Sequence, residues 1–342
     1  MTTSNSLGAS QETPVLSLQH LTKRYGSFTA LDDMTLDLNA GQILGLIGPN
    51  GAGKTTTIKI LVGMIKPTSG TATIAGVDCF RDSNTIKRMV GYMPDTFGAY
   101  DNMRVREYLD FFGAAFGIPA RIRAKRIEEV MELTGATYMR DRFVESLSHG
   151  MRQRVGLSRI LIHDPRILIL DEPVNGLDPQ ARIEMRDLLI QLARQGKTLL
   201  VTSHILPELA RICHRVAIMT NGKLRAFGTV DEIGRLVSQQ RTIEMNLATA
   251  EQIPAAASIV RKLIEPGTEV IEAVEEMSVR FRTARSETEL GDILTRLIRE
   301  DIRVTQFREV LTDLEEAFMS FTRLSDSESG SKQAVAKGTV RA

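Results

Sequence analysis

Residues 48–56, GPNGAGKTT, constrain this chain more than any other stretch. A glycine, four residues, then Gly-Lys and a hydroxyl residue place Gly48, Gly53, Lys54 and Thr55 in a phosphate-binding pattern. The stretch follows the short apolar run QILGLI and opens TTTIKILVGMI, a helical sequence that the pattern carries to Lys66-Pro67. Strand, loop and helix in that order are the unit of an open α/β sheet. Glycine freedom lets the loop Gly48, Pro49, Asn50, Gly51, Ala52, Gly53 wrap a polyphosphate with its backbone N–H groups turned inward. The helix that starts at Lys54, Thr55 and Thr56 adds a partial positive charge at its N-terminus. Lys54 is then placed for the β- and γ-phosphates and the Thr55 hydroxyl for Mg²⁺. With glycine at about 7% of residues, chance gives this pattern in roughly one chain in a hundred of this length, and the strand–helix context lowers that.

A second element completes the chemistry. In RILILDEP four apolar residues, Ile167–Leu170, predict a buried strand. Asp171 emerges at its C-terminal end, where open α/β sheets bind ligands. A carboxylate there holds Mg²⁺ through water, and Glu172 beside it is placed to orient or deprotonate an attacking water. Alone, an apolar strand followed by Asp-Glu is as often a plain solvated strand end; beside a phosphate loop it gains meaning.

The rest of the chain frames these elements. Its 342 residues suggest about two domains. Lys+Arg total 43 and Asp+Glu 42, so net charge gives no reason to bind nucleic acid or anionic lipid. No apolar run approaches the roughly 18 residues of a membrane helix, and MTTSNSLGASQETP shows no secretory pattern. Cys79 and Cys213 are too few for a disulfide framework and read as small hydrophobes in a reducing cytoplasm. Residues 1–14 and 325–342 read as polar tails. Between 15 and 230 strands and helices alternate, predicting a largely parallel sheet, with a helical section over about 96–147. ARIEMRDLLIQLARQGK predicts an amphipathic helix with Leu188, Leu189 and Leu192 inside and Gly196 beyond its end. Asn221-Gly222 predicts a hairpin turn. From 231 to 324 RTIEMNL, EVIEAVEEMSVRFRT and IRVTQFREV read as strands between helical stretches at 251–263 and 287–300, a small α+β domain.

LSHGMRQR, residues 147–154, narrows the reading. It resembles the LSGGQ signature of ATP-binding cassette (ABC) ATPases, and lies shortly before RILILDEP as that family's signature does. Other matches follow in order: Tyr25 in KRYGSFTALD resembles the aromatic that stacks on adenine, GYMPD (91–95) the Q-loop, GLDP (176–179) the D-loop, and TSH, ending at His204, the switch histidine. The resemblance spans roughly residues 15–230. It implies a P-loop cassette with a helical subdomain, binding ATP and Mg²⁺ and hydrolysing ATP. It implies a head-to-tail pair of cassettes around two nucleotides. One subunit brings Lys54, Thr55, Asp171, Glu172 and His204; the other brings Ser148 and the backbone of Gly150, with Asp178 at contacts between the two. Asp178 also suits a helix N-cap before Pro179.

Two positions depart from the pattern. Asp95 stands where the Q-loop has Gln; it is shorter, charged, and no donor when ionised. It is expected to approach Mg²⁺, through water or directly. His149 replaces the first glycine of the signature, leaving three readings: a weaker phosphate clamp, an added imidazole contact, or a side chain turned outward. Among the aromatic residues of the helical section, Phe97, Tyr100 and Met103 suggest an exposed docking groove for a membrane partner, and Tyr108, Phe111 and Phe112 read mainly as core. The single cassette, the GYMPD form and the C-terminal domain, closing on LTDLEEAFM (311–319), resemble subunits of bacterial multidrug or polymer exporters. That resemblance implies separate membrane-spanning permeases, a second cassette (a homodimer), and a place at the cytoplasmic face of the membrane. The alternative, a soluble ABC-type ATPase remodelling ribosomes or DNA, lacks the expected second cassette, coiled-coil insertion or basic stripe.

Overall fold

The computed structural model describes residues 14–96, 98, 102–204, 209, 211–237, 241–268 and 270–310. Phe97, Tyr100, LTDLEEAFM and the predicted tails apart from Pro14 lie outside the described residues. The chain forms two compact units, Met1–Phe227 and Gly228–Ala342.

The first unit opens with β1 (Leu16–Tyr25), β2 (Phe28–Leu38), β3 (Ile43–Ile47), α1 (Lys54–Leu61), β4 (Ser69–Ile74), β5 (Val77–Asp78), α2 (Ser83–Met89) and β6 (Val90–Met93). It continues through α3 (Val105–Ala115), α4 (Ala120–Leu133), α5 (His149–Leu161), β7 (Ile167–Leu170), α6 (Pro179–Arg194), β8 (Thr198–Ser203), β9 (Arg215–Thr220) and β10 (Lys223–Gly228). Six strands form one sheet in the order β10-β9-β3-β8-β7-β6. The pairs β3–β8, β3–β9, β7–β8 and β6–β7 are parallel. Every residue of β3, β7 and β8 is buried, which is why β3 and β7 read as unbroken apolar runs rather than alternating ones, while β8 buries Thr198, Thr202 and Ser203 beside its apolar residues. In register, Ile47 lies beside Ser203 and Ile218, and Leu170 beside Met93 and Val201. The residues that follow these strands therefore leave the sheet at one edge. The strands β2-β1-β4-β5 make a second, antiparallel sheet. Leu16, Leu18, Leu21, Leu36 and Leu38 of that sheet share one core with Leu46 of β3 and with Ile58 and Leu61 of α1.

Two predicted elements end differently. Helix α1 stops at Leu61, short of Ile65, because Gly63 takes a left-handed φ of +72° and Met64 N–H turns back to the Lys59 carbonyl. A Cβ at Gly63 would lie 2.7 Å from the Cys79 carbonyl, so the turn is fixed by packing. In the second unit EVIEAVEEMSVRFRT is a hairpin, not one strand: β12 (Val270–Ala273) turns back into β13 (Ser278–Thr283) through Met277, whose φ is +49°. Elsewhere α6 begins at the Asp178 cap, which accepts from Ala181 N–H, and buries Leu188, Leu189 and Leu192. Asn221 and Gly222 both have positive φ, as a two-residue hairpin turn requires.

The second unit contains α7 (Val230–Val237), β11 (Arg241–Leu247), α8 (Ile253–Leu263), the hairpin, α9 (Glu287–Arg299) and β14 (Val304–Val310). Its antiparallel sheet runs β12-β13-β11-β14. Ile243, Met245, Val279 and Phe281 pack on Ile253, Ala257 and Val260 of α8 and on Leu290, Ile293 and Leu297 of α9.

Candidate nucleotide site

The loop 48–53 leaves β3 with its conformation dictated by glycine. Gly51 and Gly53 have φ of +82° and +107°. A Cβ on Gly53 would sit 2.8 Å from Leu31 Cδ2 and 2.9 Å from the Ala30 carbonyl; one on Gly48 would sit 2.5 Å from the Met219 carbonyl. Ala52 N–H closes the loop onto the Pro49 carbonyl at 3.1 Å. Lys54, almost fully buried, folds back and donates to the Gly48 carbonyl at 2.6 Å. Its Nζ is also 3.6 Å from Glu172 Oε1.

Asp171 and Glu172 reach the same place from β7. Asp171 is 5% exposed and accepts from the Thr202 hydroxyl at 2.7 Å. The same hydroxyl oxygen accepts Glu172 N–H at 2.9 Å, so Thr202 ties the ends of β7 and β8 together. Burial pushes the Asp171 carboxyl above its usual range; the nearby charges of Glu172 and Asp95 add to this, and the Thr202 bond and Lys54 oppose it. Glu172 takes a left-handed φ of +52°, a strained setting for a non-glycine residue. Its Oε2 accepts from His204 Nδ1 at 2.9 Å.

These groups line one cavity of about 320 Å³. Its walls hold Pro49 through Thr56, Asp95, Asp171 and Glu172, so residues from three separate stretches of sequence meet. Gly48 adjoins it through Lys54 and His204 through Glu172. Phe28 and Ala30 also line it, and neither was singled out from sequence. The available signal was the two-residue turn Gly26-Ser27, which makes Phe28 the cross-strand partner of Tyr25. Tyr25 is not among the lining residues; it is half exposed, with Lys23 Nζ 4.8 Å from its ring centre. Thr202 was likewise passed over, although it stands two residues before His204.

Ser148, Gly150 and Asp178 are not among the lining residues. Ser148 caps α5, accepting from Met151 N–H, and the adjacent Gly150 lies against Leu177 and Ala181. His149 turns toward its own chain: its Nε2 donates to the Asn175 carbonyl at 2.8 Å, joining the start of α5 to the segment before Leu177-Asp178.

Among the described residues no group of three or more His, Cys, Asp or Glu is placed to hold a metal by itself. The cavity nonetheless combines the acidic Asp95, Asp171 and Glu172 with Lys54 and the Thr55 and Thr56 hydroxyls. That donor set of hard oxygens, with more carboxylate than cation, fits Mg²⁺ arriving with phosphate oxygens.

Comparison with known proteins places this geometry. The family profile described as "ABC transporter" matches residues 31–175. Nod factor export ATP-binding protein I of Ralstonia nicotianae is 37% identical over 264 residues, covering 77% of this chain and 80% of that protein. The bacitracin transport ATP-binding protein BcrA of Bacillus licheniformis is 41% identical over 61% of this chain and 68% of its own length. A solved ATP-binding subunit of an ABC transporter superposes with a TM-score of 0.60 at 30% identity, over 65% of this chain and 92% of that one. In sequence, in fold and in the residues gathered at its cavity, the chain belongs to the ABC transporter family as an ATP-binding, ATP-hydrolysing cassette subunit.

Proposed function

We propose that Mg²⁺-ATP occupies the phosphate-loop cavity and that its hydrolysis drives export through separate membrane-spanning subunits. The observation that carries this reading is the convergence of the glycine loop, Lys54, Asp171, Glu172 and the His204 contact in and around one cavity. Loop N–H groups and Lys54 bind the phosphates. Thr55 and Asp171 hold Mg²⁺, with Asp95 approaching it; the ion supplies charge neutralisation of the phosphate oxygens. Glu172, oriented by His204, holds the attacking water and takes its proton.

Ser148, Gly150 and Asp178, being away from this cavity, serve a second copy of the chain. In that arrangement Ser148 and the Gly150 N–H, at the N-terminus of α5, face the γ-phosphate bound by the partner subunit. Each nucleotide is then complete only between two cassettes, and binding closes the pair. Among the described residues no helix is long and apolar enough to cross a membrane. The permease is assigned to other polypeptides, with this subunit at the cytoplasmic face, on the likeness to ATP-binding proteins of export and transport systems. An apolar groove of about 360 Å³, lined by Val62, Met64, Tyr92, Phe112, Phe116 and His163, supports docking there. On this reading part of the docking surface lies on α3 and beside α1, whereas the sequence pointed to 97–103. Of those aromatic residues, Tyr108 is fully buried, Phe111 is exposed and Phe112 lines the groove.

The test is Glu172→Gln of the full chain in gel filtration with Mg²⁺-ATP. It should bind nucleotide, release little phosphate and elute as a dimer, while without nucleotide it elutes as wild type. Wild-type turnover in Glu172→Gln would remove Glu172 as the base. Wild-type protein that neither binds nor hydrolyses Mg²⁺-ATP would overturn the whole reading.

A further inference from the structure

The phosphate-loop cavity has one wall of a different chemistry. Phe28, at the start of β2, lines it together with Ala30, yet leaves 63% of its surface exposed. A lone exposed aromatic is ordinary on a protein surface; three further observations set this one apart.

First, Tyr25 and Phe28 are directly paired across the turn Gly26-Ser27, with φ of +58° at Gly26. Directly opposed residues of an antiparallel pair project to the same face, so two aromatic residues stand side by side at the tip of the ribbon. Second, the two rings are not equally available. Lys23 stands two residues before Tyr25 on the same face, holds its Nζ 4.8 Å from the Tyr25 ring centre, and is tethered by a 2.8 Å bond to the Lys66 carbonyl. Among the described residues Phe28 has no ring or cation partner. Third, Phe28 shares its cavity with the residues that take the phosphates, and Ala30 beyond it contributes only a methyl group.

We infer that Phe28 is a base-contacting residue: the nucleobase packs on its ring, with Tyr25 as neighbour. This rests on the nucleotide reading of the cavity and adds a residue that the aromatic at Tyr25 does not account for. A phenyl ring offers a base its π face and no hydrogen bond, so the contact contributes affinity for the base and none for the phosphates.

The chain has no tryptophan, which gives the test its probe. In Phe28→Trp the single indole should change emission saturably with Mg²⁺-ATP and stay unchanged with Mg²⁺-tripolyphosphate, which lacks a base. In Phe28→Ala, calorimetric titration should show ATP binding weakened about tenfold, with tripolyphosphate binding within twofold of wild type. The second ligand also confirms that the variant folds. ATP binding within twofold of wild type in Phe28→Ala, or an equal loss for both ligands, would overturn the assignment. Wild-type protein that binds neither ligand would overturn the nucleotide reading and this inference with it. Wild-type protein that binds both, with Phe28→Ala unaltered, would overturn this inference alone.

Discussion

Each unit of this chain buries a carboxylate at the same depth, and treats it in the opposite way. Asp171 and Glu244 are both 5% exposed. On β11, Glu244 stands directly opposite Arg280 of β13 and Arg308 of β14. Arg280 Nε donates to its Oε1 at 2.7 Å and Arg308 Nε to its Oε2 at 2.8 Å. The two guanidiniums hold the Glu244 carboxyl below its ordinary range. Among the described residues Asp171 has one neutral hydroxyl as its hydrogen-bonding side-chain partner; Lys54 is shared with Glu172, and burial, with two acidic neighbours, pushes the carboxyl up. A carboxylate satisfied by its own chain is part of the scaffold. One left short of cations inside a cavity is held in readiness for a cation that binding supplies.

The largest expected effect comes from removing the cation at the site. Lys54→Ala should weaken Mg²⁺-ATP binding by two to three decades, in line with the roughly 2–5 kcal/mol lost when one partner of a buried charge pair is truncated. Isothermal titration measures this directly. Retention of wild-type affinity would mean that the loop N–H groups suffice and that Lys54 belongs with the scaffold.

His163 offers a half-buried titratable group and an acid-limb test. Its ring stacks on Phe116 with centroids 3.8 Å apart, and its Nε2 donates to the Val90 carbonyl at 3.3 Å. Burial lowers its pKa from 6.5 to about 4, against smaller opposing effects from the Val90 bond and Asp164. Between those values the unfolded chain binds the proton and the folded one does not, so stability falls as pH drops from 6.5 toward 4. By linkage, this one group costs about 2–3 kcal/mol between pH 7 and 4.5. His163→Phe keeps the stack and removes the titration, so urea unfolding at the two pH values should show a correspondingly smaller loss. An equal loss in both proteins would place the acid sensitivity elsewhere.

The comparison itself predicts opposite signs. Asp171→Asn removes a charge whose burial is poorly offset and keeps an acceptor for Thr202. The ligand-free chain should melt higher at pH 7 while its ATPase falls. The raised folded-state pKa means that stability declines as pH rises above the ordinary carboxylate range, and the Asn variant loses that decline. Glu244→Gln should melt lower at pH 7 by about 1–2 kcal/mol, discounted because both arginines are half exposed. The stability that Glu244 gives is present above its ordinary pKa and lost as pH falls below it. ATP affinity in Glu244→Gln should stay at the wild-type value. Equal signs for the two variants would break the comparison.

How much of this was legible beforehand followed the range of the interactions. The phosphate loop, the Asp171 strand end and the parallel sheet rest on local spacing and on buried runs such as Ile167–Leu170, and all could be read from sequence. The early stop of α1 could not, because Gly63 is forced by the Cys79 carbonyl and Ser83 from another segment. The β12–β13 turn was hidden in a run of strand-like residues, where Val274–Met277 turn and Met277 takes a positive φ. Phe28, Thr202 and the Arg280–Glu244–Arg308 arrangement depend on cross-strand register, which sequence alone leaves open.

The smallest expected effect decides among the three readings of His149. Its imidazole is satisfied by its own chain, through the 2.8 Å bond to the Asn175 carbonyl. By the logic of Glu244, it is then part of the scaffold, bracing the start of α5 against the segment that leads into Asp178. His149→Ala should cost about 0.5–1.5 kcal/mol of stability, the ordinary contribution of one such bond. It should leave monomer affinity for Mg²⁺-ATP within twofold of wild type. In the Glu172→Gln background, the ATP-induced dimer should form at the same protein concentration with or without His149. If the double variant dimerises only at several-fold higher concentration while its melting point is unchanged, the imidazole faces the partner's phosphate. His149 would then move from the Glu244 side of the comparison to that of Asp171.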